Sequence, residues 1–154
     1  MMITVITREL RGKALDWAAA KASGMKITHC DYINGEYAWV GNYQSCEISS
    51  KQPLITLGLD NTLCIEFKGR SEVYSPTSNW SQCGMLMDEH LRSMGCVFHL
   101  KKEPVYRAFA RRKISDVDFC NIASGKDIKE AFLRAFVIVS IGDEVQVPKS
   151  LQES

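Results

Sequence analysis

The sequence holds no apolar run of the roughly 18 to 20 residues that crossing a bilayer requires. Its longest candidate, Ala131 to Ile141, is interrupted by Arg134. Charge of one sign is also lacking: the formal net charge is +1, which gives no global pull toward nucleic acid or membrane. Internal repeats and low-complexity tracts are absent. Met1 to Thr7 lacks the positive n-region of a signal peptide, and Arg8, Glu9 and Arg11 arrive where an apolar stretch should continue. The expectation is a soluble protein of the cytoplasm, with no membrane partner. Cysteine is present but unpatterned. Cys30, Cys46, Cys64, Cys83, Cys96 and Cys120 lie far apart and form no CxxC pair, so six mostly buried free thiols are expected in place of a disulfide framework.

What is present is ordinary globular material. A chain of 154 residues, 45% hydrophobic and 24% charged, buries a core without disulfides or metal. One domain over residues 1–148 is expected, with a polar tail at 149–154. Leu10, Ala14, Trp17, Ala18 and Ala22 recur at helical spacing and predict a helix from Arg8 to Ser23, with Thr7 as N-cap and Asp16 on its outer surface. Asn34-Gly35 predicts a hairpin turn, and Leu63, Ile65 and Phe67 alternate as in a half-wet strand. After Pro76, Thr77 or Ser78 can cap a second helix running to about Met94, with Trp80, Met87 and Leu91 inward. Two strands follow, in which Tyr106, Ala108 and Ala110 alternate with Val105, Arg107 and Phe109. Ser124 then caps a last helix whose face is Ile128, Ala131, Phe132, Ala135, Phe136 and Val139. Helices around hairpin-joined strands predict an α+β fold, an antiparallel sheet packed with helices.

Chemistry is harder to find. Cys83, His90, Cys96 and His99 include a C-x-x-H step. However, Cys96 and His99 should point to opposite faces of a strand, so no metal is expected. Ser124-Gly125-Lys126 resembles a fragment of a P-loop, without the upstream glycine or the following Ser/Thr, and helix capping accounts for it. Serines, cysteines and histidines are numerous enough for a triad, but no nucleophile elbow is present. Neither catalytic residues nor a cofactor are therefore expected. Two surfaces remain. The loop Tyr74, Ser75, Thr77 and Trp80, stiffened by Pro76, combines large aromatics with hydrogen-bonding groups and is a candidate partner-binding site. Lys101, Lys102, Arg107, Arg111 and Arg112 form the basic cluster of the chain and are candidates for contacting nucleic acid; a solvated sheet edge is the plainer explanation.

Four segments carry a resemblance. Gly12 to Ala22, Tyr74 to Gln82, Tyr106 to Ala108, and Ala131 to Val137 with Gly142 to Pro148 are together similar to the NinX-like family of tailed-phage proteins. Residues 25–69 and 111–122 have no counterpart in that likeness, and Cys83 stands where a glycine is usual. The resemblance implies an α-β-α sandwich, a phage or prophage origin and expression in a bacterial host cytoplasm. It supplies no activity and no catalytic residues. The expected function is a phage accessory protein that binds a host macromolecule without catalysis. A host protein such as a defence component is the first reading. Nucleic-acid binding through residues 101–113 is the second, and an enzyme acting on a nucleotide or small metabolite is the third.

Overall fold

The computed structural model describes residues 1–40, 45–100 and 103–152. The protein is α+β, with helices packed against sheets. Its contacts divide it into two compact units, Met1–Ala22 with Ser75–Ser154, and Ser23–Tyr74. The second unit closes a sheet of its own within the span read as one domain.

In the first unit, β1 (Met2–Ile6) pairs antiparallel with β10 (Glu144–Pro148). The helix expected from Arg8 is shorter than its pattern. Thr7–Glu9 form a 3-10 turn, and α1 spans Gly12–Ala22. Thr7 is not its N-cap. The hydroxyl donates to the Gly142 carbonyl at 2.7 Å and the amide to that of Asp143, so Thr7 ties the chain start to the segment before β10. α1 is buried almost all round, including Ala14, Ala18, Ala19 and Ala20 at 0% exposure. A run of methyl side chains lets neighbouring backbones approach closely.

α3 (Trp80–His90) is capped by Asn79, whose side chain accepts from the Gln82 amide at 3.0 Å. Thr77 and Ser78, the expected caps, lie in the preceding turn. α3 ends four residues before Met94, because the chain turns extended at Leu91 and enters β7 (Leu91–Leu100). β7, β8 (Glu103–Ile114) and β9 (Val117–Gly125) form an antiparallel sheet with β8 central. The β8–β9 hairpin turns at Ser115 and Asp116, both at positive φ (50° and 65°), as in a type I′ turn. The alternation expected in β8 is present: Ala108 and Ala110 are fully buried, while Arg107 and Phe109 are exposed.

α4 (Ile128–Ser140) packs on β8 and β9, with α1, the 3-10 turn and α3 against its other sides. It therefore buries more than the expected stripe, adding Leu133, Val137 and Ile138 to Phe132 and Phe136. Its cap is Asp127 in place of Ser124, which still belongs to β9. Asp127 Oδ1 accepts from the Glu130 amide at 2.8 Å, and Glu130 Oε1 accepts from the Lys126 amide at 3.1 Å, a reciprocal capping arrangement. Val145 and Val147 are buried in β10, and the expected polar tail is anchored in part, since α5 (Lys149–Gln152) buries Leu151.

In the second unit, β2 (Lys26–Ile33) and β3 (Glu36–Val40) join through the expected Asn34-Gly35 turn, both residues at positive φ. α2 (Ser45–Lys51) leads into β4 (Leu54–Leu57), which lies parallel to β2; β5 (Leu63–Phe67) and β6 (Arg70–Val73) follow antiparallel. The order is β3-β2-β4-β5-β6. This sheet is mixed: β2 and β4 run parallel, and an intervening helix is what returns a chain parallel to an earlier strand. Every residue of β4 is buried, as in a central strand covered on both faces. No helix among the described residues is long and apolar enough to cross a membrane.

Candidate functional site

The loop read as a partner site is built around a buried carboxylate. Asp16 is 2% exposed. Its Oδ1 accepts from the Thr77 amide at 2.8 Å and its Oδ2 from the Thr77 hydroxyl at 3.1 Å. The Ser75 amide donates to Gln82 Oε1 at 2.7 Å, and the Ser78 hydroxyl donates to the Ser75 carbonyl. The polar groups of this turn thus fasten it to α1 and to α3. Thr77 is a structural clamp, its amide and hydroxyl both spent on Asp16, and the Ser75 amide and carbonyl are engaged within the turn. Tyr74 is a correction of the same kind. It is 4% exposed and its amide continues the β5–β6 ladder by donating to Leu63, so it is a core residue and not a contact residue.

Trp80 is displayed. It occupies the first position of α3, is 56% exposed, and carries Lys129 Nζ over its ring at 4.0 Å from the centroid. The inward stripe assigned to α3 is corrected accordingly: the fully enclosed side chain on this helix is Cys83. Burial pushes the Cys83 thiol up to about 12, so it rests neutral, a poor nucleophile and a poor metal ligand. Cys96 and Cys120 are exposed and Cys30 and Cys64 half-buried, which corrects the expectation of mostly buried thiols; the side chain of Cys46 lies outside the described residues.

Charge alone places Asp16 on the helix surface, and the structure corrects this. Alanines on every side of it, from Ala14 to Ala22, signal a helix covered all round, and a carboxylate within such a run must find donors inside. Burial raises its pKa to about 6, against the lowering effect of the two Thr77 hydrogen bonds. The folded state therefore keeps a proton that the unfolded chain releases between pH 3.8 and about 6. The fold is most favoured by this group at low pH and loses that contribution as pH rises through 6. The displacement corresponds to about 3 kcal/mol between the two limits. Asp16→Asn retains an acceptor for the Thr77 amide and carries no charge. Its stability is expected to exceed that of the wild type at pH 7.5 and to converge on it near pH 4. Denaturant midpoints across that range measure this, and parallel pH curves for the two proteins would refute it.

The basic cluster separates by strand parity. Arg107 and Arg111 are exposed on the face of β8 opposite α4. Arg112 points the other way and donates to the Ala22 carbonyl at the end of α1, which removes it from the candidate surface. Lys101 and Lys102 lie outside the described residues. Two neighbours that the sequence did not single out join the exposed face. Arg92 of β7 donates to Cys120 Sγ of β9 at 3.1 Å, across the central strand, and Arg111 lies 3.9 Å from Asp118. Arg92 reaches this face through a register shift between Leu91 and Ser93, an irregularity that leaves no mark in residue order.

The P-loop-like fragment has a packing explanation. A Cβ on Gly125 would stand 2.6 Å from the Ala131 backbone nitrogen, so glycine is needed where β9 runs under the first turn of α4. No protein-family model matches the chain, and no curated protein matches it.

Proposed function

We propose that the protein is a non-catalytic accessory protein that binds another protein, with Trp80 as the anchor of the contact. A phage or prophage origin and a bacterial host protein as the partner, a defence component among the candidates, follow from the resemblance of the four segments named above. The observation that carries the binding reading is the exposure of Trp80. An indole at 56% exposure leaves apolar surface in water, and the Lys129 ammonium over one ring face holds it in a defined orientation. Such a residue loses little rotamer freedom on docking and supplies a large contact area, the properties of an interface hot spot. The turn behind it is fastened through Asp16 and Thr77, so the platform is preorganised.

Trp80→Ala is expected to weaken capture of the partner by about 2 kcal/mol or more while shifting Tm by little, since the ring is not part of the core. Affinity purification from bacterial lysate with both proteins, alongside thermal melts, checks this. A variant that loses several degrees in Tm, or one that retains a stoichiometric partner undiminished, would overturn the assignment.

A further inference from the structure

We propose that the open face of the β7–β8–β9 sheet binds single-stranded nucleic acid, with Phe109 as a base-stacking platform and Arg107, Arg111 and Arg92 as phosphate contacts. This surface is distinct from the Trp80 site, and the proposal does not rest on that reading.

The sheet is covered on one side. Ala108 and Ala110 are fully buried on the side of α4, so Arg107, Phe109, Arg111 and Lys113, at the alternate positions, stand on the other. Phe109 is 40% exposed at the middle of the central strand. A phenyl ring left in water at the centre of a sheet, where the neighbouring positions of the same strand are buried, is not explained by the core. Its surroundings are low. Across the strands it lies between Ser93 and Ile122, and Arg107 lies between Gly95 and Ser124. Ser93 and Gly95 on the β7 side and Ser124 beside Arg107 are small and leave the ring, 40% exposed, accessible to a flat ligand; Ile122 borders it on the β9 side.

Charge selects the ligand. Arg107 and Arg111 stand one alternation either side of Phe109, each roughly 7 Å along the strand. Lys113 continues the line, and Arg92 enters from β7. The acidic groups on this face are Asp118, beside Arg111 at 3.9 Å, and Glu103 at the start of β8, so cations are in excess. Arg107 has no ion-pair partner among the described residues. An aromatic ring between regularly spaced guanidinium groups matches a polyanion that also carries planar rings. Stacking on Phe109 requires bases that are not paired, which selects a single strand over a duplex. An acidic protein segment would satisfy the arginines but would leave the aromatic platform without a use.

The test is fluorescence anisotropy at low salt with a labelled single-stranded oligonucleotide. An abasic phosphodiester of equal length and a polyglutamate peptide serve as comparisons. The oligonucleotide is expected to bind, with affinity falling steeply with salt. Phe109→Ala should weaken it by roughly 5- to 150-fold and leave abasic binding unchanged. Arg107→Gln should reduce the salt slope by about 0.7 on both phosphate ligands. Both side chains are exposed, so the variants should melt as the wild type does, and Trp80→Ala should bind the oligonucleotide normally. Absence of binding at low salt would overturn the proposal. So would equal affinity for polyglutamate together with an unaffected Phe109→Ala variant, which would indicate an acidic protein partner.

Discussion

Replacing Arg134 by methionine is expected to cost about 3 to 5 kcal/mol of stability, a large share of what a domain of this size possesses. Arg134 is a connector between three parts of the first unit. Its Nε donates to the Leu10 carbonyl at 2.8 Å after the 3-10 turn, and its NH1 donates to the Ser124 carbonyl at 2.9 Å in β9. The same NH1 lies 3.2 Å from Glu130 Oε1, one turn earlier on α4, and the two side chains are only 15% and 9% exposed. Methionine matches the length of the stem and removes every donor. Glu130 is then a buried carboxylate without its cation, and two carbonyls lose their partners. Arg134→Lys should not rescue, since one ammonium cannot reproduce the planar fork that serves carboxylate and carbonyls together. Arg134→Met with Glu130→Gln should recover part of the loss, because the stranded charge is gone. Urea unfolding of the four proteins supplies the comparison. A loss below about 1 kcal/mol for Arg134→Met would mean that the network contributes no net stability.

Phe132→Ala is expected to cost a similar amount, about 3 to 5 kcal/mol, by a different route. Phe132 has no exposed surface and stacks on Phe136, with ring centroids 6.0 Å apart and planes inclined by 5°. Phe136 in turn meets the His90 ring at 4.6 Å, so the aromatic column continues to the end of α3. Deleting the first ring removes its transfer free energy and opens a cavity that a sheet on one side and a helix on the other cannot easily close. Phe119→Ala provides the contrast within the same protein. That side chain is 49% exposed near the hairpin end, and the same chemical change should cost under about 1 kcal/mol. Equal losses at the two positions would show that the core has been assigned to the wrong face of α4.

Which parts of this architecture can be read from residue order follows from the range of the interactions. Local signals were sufficient where the structure is local. Asn34-Gly35 places a turn because only residues tolerant of positive φ fit it, and β8 alternates because one face is covered by α4. Asp127 and Glu130 form a legible capping pair once the helix start is moved three residues on. The pairing of β1 with β10 is not legible. Met2, Thr4 and Ile6 are exposed, Ile3 and Val5 half-buried, and nothing in a five-residue strand names a partner at the far end of the chain. The parallel return of β4 onto β2 is hidden for the same reason. At the candidate sites, composition identified Trp80, Arg107 and Arg111, but not which neighbours would be spent on the fold. Tyr74 and Thr77 have the right chemistry for recognition and are engaged within the protein. Asp16 has the wrong chemistry for a core and is inside it, where Thr77 supplies its donors.

The union of β1 with β10 has a consequence for the order in which the chain can fold during synthesis. β1 emerges from the ribosome before the other described strands, and its partner, Glu144–Pro148, emerges after them. The Ser23–Tyr74 unit has all of its strands by residue 74 and can close while β1 and α1 still wait. Thr7 waits as well, since both of the bonds it donates run to Gly142 and Asp143. The amino-terminal segment is therefore a holdover in the nascent chain, with the apolar side of α1 awaiting α4. Domains form as units while translation proceeds, and exposed apolar surface in such intermediates is what chaperones engage. A ribosome stalled before residue 144 should present a protease-resistant 23–74 core beside a 2–22 segment still open to cleavage, and release of Glu144–Pro148 should protect both.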